Sequence, residues 1–164
     1  MATAPEMLAT PEVVIRTMLE PDVLAVVAIE RAAYQFPWSE GIFRDCLRVG
    51  YVCRVASVGE EVVAYGVMSV GAGEAHILNL CVNAHFRCQG VGRRMLDYLV
   101  DRARAAGMSE AFLEVRPSNT AAIRLYQSMG FEQVGIRRGY YQAIGGREDA
   151  SVLKLVLPGR RSRT

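Results

Sequence analysis

Arg87-Cys88-Gln89-Gly90-Val91-Gly92 is the segment whose residue types and spacing most clearly imply chemistry. It follows an apolar run, Ala75 to Val82, and leads into a stretch with helical periodicity. A strand that passes through glycines into a helix is a device for anions, because the unpaired first-turn amides and the positive end of the helix dipole point to one place. Gly90 and Gly92 remove side chains where a phosphate must approach the backbone, and Arg87 and Arg93 stand close by. A Walker loop requires Gly-Lys-Ser/Thr, whereas Gly92 is followed by Arg93-Arg94; a dinucleotide loop of form G-x-G-x-x-G requires glycine where Met95 stands. The expected ligand is therefore a phosphate-bearing molecule of another kind. A plain strand-to-helix turn would need at most one glycine and neither arginine.

Two further residues could move protons. Glu114 sits inside a short apolar strand, Ala111 to Val115, where a carboxylate belongs only if its face opens onto a cleft, if the strand is an exposed edge, or if the acid is buried and paired. Tyr126 shares one helix face with Asn119 and Ala122, and by residue type alone an ordinary core aromatic is its first reading. Tyr140 and Tyr141 on the last loop, with Phe36 and Trp38 on the loop between two helices, could wall a peptide groove or pack the two loops together. Glu148 and Asp149 could receive a basic peptide or pair with Arg137 and Arg138. Cys46, Cys53, Cys81 and Cys88 form no C-x-x-C pair, and His76 and His85 lie at spacings unlike a zinc site, so no metal is expected.

These residues need a scaffold. Val13 to Leu19 reads as a first strand, and Pro21 opens a helix whose Leu24, Val27 and Ala28 fall at i, i+3 and i+4. Ser39 and Glu40 start a second helix with Ile42, Phe43, Cys46 and Leu47 as its buried stripe. Tyr51 to Val58 and Val62 to Val70 form a hairpin about Gly59-Glu60, and Ala75 to Val82 adds a third strand to that sheet. The helix after the glycine loop buries Val91, Met95, Leu96, Leu99, Val100 and Ala103 and ends at Gly107. The strand Ala111 to Val115 and a helix from Thr120 to Met129 complete a parallel crossover pattern. Phe131 to Arg137 and Ser151 to Leu157 are the last two strands, joined by a loop that contains Tyr140, Tyr141 and Gly145-Gly146. The expected architecture is α/β: one mixed sheet with helices on both faces.

With 164 residues and 51% hydrophobic content, the chain has room for one domain, expected over 13–157, with a flexible start at 1–12 and a basic flexible tail at 158–164. The net charge is +2, but Arg160, Arg161 and Arg163 of the tail supply three charges, and without them the balance is −1. Such a body lacks the basic stripe of a nucleic-acid binder, so no direct nucleic-acid contact is expected. The first dozen residues carry no basic start, and no run of 18 apolar residues occurs, so neither a secretory signal nor a membrane span is expected and the protein is placed in the cytoplasm with reduced thiols.

The glycine segment resembles the Arg/Gln-x-x-Gly-x-Gly/Ala signature of the GNAT acetyltransferase superfamily. Phe36-Pro37-Trp38-Ser39-Glu40, Leu113-Glu114-Val115-Arg116, Ser118-Asn119, Leu125-Tyr126, Met129-Gly130-Phe131, Arg137-Arg138-x-Tyr140-Tyr141 and Gly146-Arg147-Glu148-Asp149-Ala150 are similar to the RimI-type branch, the bacterial ribosomal-protein-alanine N-acetyltransferases. The resemblance runs from about Val13 to Leu157. It implies the GNAT acyl-CoA N-acyltransferase fold, acetyl-CoA as cosubstrate, and the N-terminal alanine of small-subunit ribosomal protein eighteen as acceptor. It also implies that the backbone of Leu80, Cys81 and Val82 pairs with the pantetheine arm. Amides from Cys88 through Gln89, Gly90, Val91 and Gly92 to Arg93 then hold the pyrophosphate, with Arg87 opening the signature and Asn119 reaching the arm. Cys88 departs from the basic or polar residue that relatives often carry; the amide does the binding, so the site should survive. The family's general base falls on Glu114 and its general acid on Tyr126. Acceptors of broader kind (other N-termini, lysine or small amines) and a non-catalytic acyl-CoA-binding module are the competing readings.

Overall fold

In a computed structural model of the chain, residues 12–158 are described, so the expected flexible start and the tail arginines lie outside the described residues apart from Glu12 and Pro158. The elements run β1 Val13–Thr17, α1 Val23–Ala33, α2 Glu40–Arg48, β2 Val52–Val58, β3 Glu61–Gly71, β4 Glu74–Val82, α3 Val91–Ala105, β5 Glu110–Val115, α4 Thr120–Ser128, β6 Glu132–Ala143 and β7 Gly146–Val156. Seven strands form one sheet in the order β1-β2-β3-β4-β5-β7-β6. Its single parallel pair is β4 with β5, the pair that α3 connects; every other pair is antiparallel.

Helices cover both faces, as expected. On one face Val23, Val26 and Val27 of α1 and Phe43 and Cys46 of α2 pack against Cys53, Val55, Tyr65 and Val67. On the other, Met95, Leu96, Leu99 and Val100 of α3 join Ala64, Met68, Ile77, Leu113 and Phe131. The α3 stripe is the expected one, residue for residue. Gly66 lets α3 come close, since a Cβ there would lie 2.8 Å from Leu99 Cδ1 and 3.1 Å from Met95 Cγ.

Three expectations fail, the first in α2, where Ile42 of the expected buried stripe is 42% exposed and only Phe43 and Cys46 are buried. The face of α1 is displaced: Val23, Val26, Val27, Ile29 and Glu30 are buried, whereas Leu24 is 66% exposed and Ala28 is also on the surface. The segment Val-Leu-Ala-Val-Val-Ala-Ile is apolar all round, so its periodicity does not select a phase. Tyr140 and Tyr141, expected on a loop, belong to β6, which pairs with β7 out to Ala143↔Gly146. The register slips between Arg137 and Tyr141, so a wide bulge interrupts the alternation that would have marked a continuous strand.

Candidate active site

The parallel pairing of β4 and β5 runs from Glu74↔Glu110 to Ile77↔Leu113 and stops, although β4 continues to Val82 and β5 to Val115. On the β3 side, Val67 pairs with Asn79 and Met68 with Ile77, so Leu78 is an extra residue in β4. Such a bulge bends its strand. The two strands part there, and a cleft of about 570 Å³ opens at the gap.

Among the described residues no strand pairs with the edge of β4 on this gap. Asn83 N–H donates to Val63 C=O at 2.8 Å, and antiparallel ladders alternate, so Cys81 exchanges its backbone bonds with Tyr65. Leu80 and Val82 therefore turn N–H and C=O toward the gap. Of the three residues expected to meet an extended ligand through the backbone, Leu80 and Val82 are presented for it. Cys81 has its backbone committed to β3 and its side chain 5% exposed, with burial pushing the thiol pKa up.

Beyond β4 the chain turns through Ala84–Phe86 into the glycine loop. Cys88 and Gly90 both have left-handed backbones, with φ +61° and +80°. Gly90 is the N-cap of α3 and supplies no side-chain cap, so the first-turn amides of Val91, Gly92 and Arg93 have no partner within the helix. Gly90 is explained by its backbone angle, Gly92 is not: it has no positive φ, and an added Cβ would meet only ordinary contacts, Val82 Cγ2 at 3.5 Å and Leu125 Cδ2 at 3.6 Å. Its missing side chain leaves space beside free amides, which fits an anion close to the backbone. The arginines do not turn into this cradle. Arg87 Nε donates to Val82 C=O at 3.2 Å and Arg93 Nη2 to Ser128 Oγ at 2.5 Å, while Gln89 Nε2 bonds to His85 C=O at 3.4 Å.

Glu114 and Tyr126 both line the cleft. Glu114 lies on β5 just past the last paired residue and combines two of its expected readings: its face opens on the cleft, and its Oε1 lies 3.4 Å from Arg137 Nε. Tyr126 projects from α4, 9% exposed, against Phe131 at 5.9 Å. Burial first, then the neighbouring Cys81 thiol, pushes its pKa up to about 12, so the phenol stays protonated at neutral pH. Asn119 also lines the cleft and caps α4, its Oδ1 accepting from Ala122 N–H at 3.2 Å.

Phe36, Trp38 and Tyr141 stand on the walls, and Trp38 also packs on Phe43 at 5.4 Å. Tyr140 is not among the cleft residues; it is 44% exposed, edge-on to Tyr141 at 4.8 Å and beneath Arg137, whose guanidinium carbon lies 5.4 Å from its ring centre. Glu148 does not reach Arg137. Its Oε1 accepts from Ser118 Oγ at 2.8 Å and its Oε2 from Arg116 Nη1 at 3.0 Å, which holds its carboxyl below the usual range. Arg116 in turn lies over the Tyr141 ring at 4.4 Å, so these residues form a fixed rim. Asp149 takes Gly139 N–H at 2.8 Å and lies 3.5 Å from Arg138.

Sequence reasoning passed over Glu30. Its carboxylate is 2% exposed and accepts from Tyr65 OH, from Asn79 Nδ2 at 3.0 Å and from Trp38 N–H at 3.1 Å. It thereby ties α1, the aromatic loop and the bulged strand together. An acid inside the apolar run 23–33 was the available signal, the same one that marks Glu114. Among the described residues no group of three or more His, Cys, Asp or Glu side chains is placed to hold a metal ion, and no helix is long and apolar enough to cross a membrane.

The acetyltransferase (GNAT) family profile matches residues 18–131. The chain belongs to the GNAT acetyltransferase family. Within that family it is 38% identical, over 134 residues, to the [ribosomal protein bS18]-alanine N-acetyltransferase of Escherichia coli K12, covering 82% of this chain and 90% of the relative. It is 35% identical to the Haemophilus ducreyi protein of the same name, over 87% of this chain and 99% of that one. The crystal structure of the Escherichia coli ribosomal-protein-S18-alanine N-acetyltransferase superposes with a TM-score of 0.83 at 34% identity, covering 93% of this chain and all of the other. The mixed sheet with helices on both faces is thus the GNAT fold.

Proposed function

We propose that this protein transfers the acetyl group of acetyl-CoA to the N-terminal alanine of ribosomal protein bS18 in the cytoplasm. The observation that carries the reading is convergence: the free edge of β4, Glu114 and Tyr126 meet in one cleft, and that edge leads to the Gly90 loop. The coenzyme's amide-bearing arm has its partners in Leu80 and Val82, its pyrophosphate in the amides from Cys88 to Arg93, and a further contact in Asn119. Phe36, Trp38 and Tyr141 wall the path of the acceptor peptide. The names of the 35–38% identical relatives support the ribosomal acceptor.

The chemistry needs two proton-handling groups. The neutral amine attacks the thioester carbonyl carbon, the C–N bond forms and the C–S bond breaks, giving an amide and a thiol. Glu114, directly or through water, takes the proton the amine sheds. Tyr126, kept protonated by burial, supplies the proton that the departing sulfur takes up. An α-amine with pKa ~8 is about one-tenth neutral at pH 7, whereas a lysine at ~10.4 is neutral at only a few parts in ten thousand. An N-terminal acceptor therefore asks roughly 200-fold less of a single carboxylate.

The test is to mix the purified protein with acetyl-CoA and an alanine-starting peptide and follow free thiol, with a control peptide whose α-amine is blocked and whose lysine is free. Turnover with the first and little with the second is expected. Equal rates would remove the N-terminal assignment, and binding of coenzyme without turnover would make this a non-catalytic member of the family.

A further inference from the structure

The free edge of β4 is already occupied by the protein's own side chains. The Leu80 carbonyl, turned to the cleft, accepts from the Tyr34 hydroxyl at 3.2 Å, and the Val82 carbonyl accepts from Arg87 Nε at 3.2 Å. Exposed strand edges invite a further strand, and side chains that cap their polar groups blunt that tendency. Tyr34 is held for this task. It is the C-cap of α1, extended at φ −124° and ψ 140°, with its own N–H bonded to Glu30 C=O at 3.0 Å. Its phenol lines the cleft, and burial, with Cys81, Glu30 and Tyr126 nearby, keeps it neutral and able only to donate to a carbonyl in this setting.

We infer that Tyr34 is a placeholder for the coenzyme arm: its hydroxyl sits on the acceptor that an amide N–H laid along β4 requires, and the arm binds by displacing it. The inference rests on the reading of β4 as the coenzyme edge. Adding an extended chain to a sheet edge uses main-chain hydrogen bonds for affinity. At Leu80 an incoming amide N–H competes with the tyrosine hydroxyl for the same carbonyl oxygen. The placeholder thus keeps the edge satisfied in the free protein and reduces affinity for any ligand that uses it.

Tyr34→Phe keeps the ring and its packing while removing the competing donor. Titration calorimetry of coenzyme A should show its Kd lowered by roughly 2- to 10-fold, the equivalent of one neutral hydrogen bond. Adenosine 3′,5′-bisphosphate, which has phosphates but no arm, should bind the variant and the parent alike. Unchanged or weaker coenzyme A binding by a folded Tyr34→Phe protein overturns the inference, and so does equal tightening of the bisphosphate, which would place the effect away from the arm. If the parent protein binds no coenzyme A, the coenzyme reading itself falls and takes this inference with it. Catalysis is not needed for any of these readouts.

Discussion

Glu114 and Arg137 meet across an intervening strand: they lie on β5 and β6, β7 runs between them, and Arg137 reaches over it to bring Nε to 3.4 Å from Glu114 Oε1. The carboxylate is 11% exposed and the guanidinium side 55%. A pair so open to water on one side contributes little, about 0–1 kcal/mol. Arg137→Ala should therefore lower stability by less than about 1 kcal/mol, read as the urea midpoint. A larger loss would make Arg137 a structural residue and not a surface partner of Glu114.

Glu114→Gln retains size and hydrogen bonding and cannot accept the proton. Turnover should fall about 10²–10⁴-fold near neutral pH and recover in part as rising pH supplies free amine. Coenzyme A affinity, measured by calorimetry, should stay within about twofold, since a binding contact worth more than this would add to the proton-transfer role. A flat loss across the pH range would take the general base away from Glu114.

Tyr126→Phe acts at the other end of the reaction. Its turnover deficit should persist at high pH, because free amine does not replace a donor to sulfur. In the parent protein, a phenol pushed up to about 12 remains protonated where an ordinary tyrosine, with pKa ~10, is half ionised, so turnover should show no falling limb from this group up to about pH 10. The same raised value contributes stability that is fully present below the unfolded pKa of ~10 and is lost as pH climbs through about 12. Thermal melts of parent and Tyr126→Phe should converge differently across that window; identical pH dependence would mean the phenol is not buried as described.

Two glycines separate scaffold from ligand site. Gly66→Ala forces a Cβ to 2.8 Å from Leu99 Cδ1 and should cost about 1–3 kcal/mol without coenzyme, while the rise in Tm on adding coenzyme A is retained. In Gly92→Asp the added Cβ meets only ordinary contacts with Val82 and Leu125, so melting without coenzyme should change little and the coenzyme-induced rise should vanish, a carboxylate standing where the anion must go. A retained rise in the Gly92→Asp protein would move the phosphate site elsewhere.

What the sequence determined by itself was local. The α3 stripe, the Ser39 cap, the first hairpin and the glycine loop each rest on residues within a few turns of one another, where periodicity and capping chemistry act. Glu114 was visible as an acid in an apolar strand, and Tyr126 drew its role from family likeness, since burial alone suits a core aromatic equally well. Tertiary structure decided the rest. The phase of α1 follows from which side meets Cys53, Val55 and Tyr65, because its own apolar residues surround it. Whether Leu80 or Cys81 offers its backbone to the cleft depends on register with β3 and on the extra residue Leu78, and a shift of one residue would exchange them. Tyr34 and Leu80 are 46 residues apart, and Arg137 finds Glu114 over a strand that comes later in the chain. Contacts of that span have no local period, so only the assembled sheet brings the partners together.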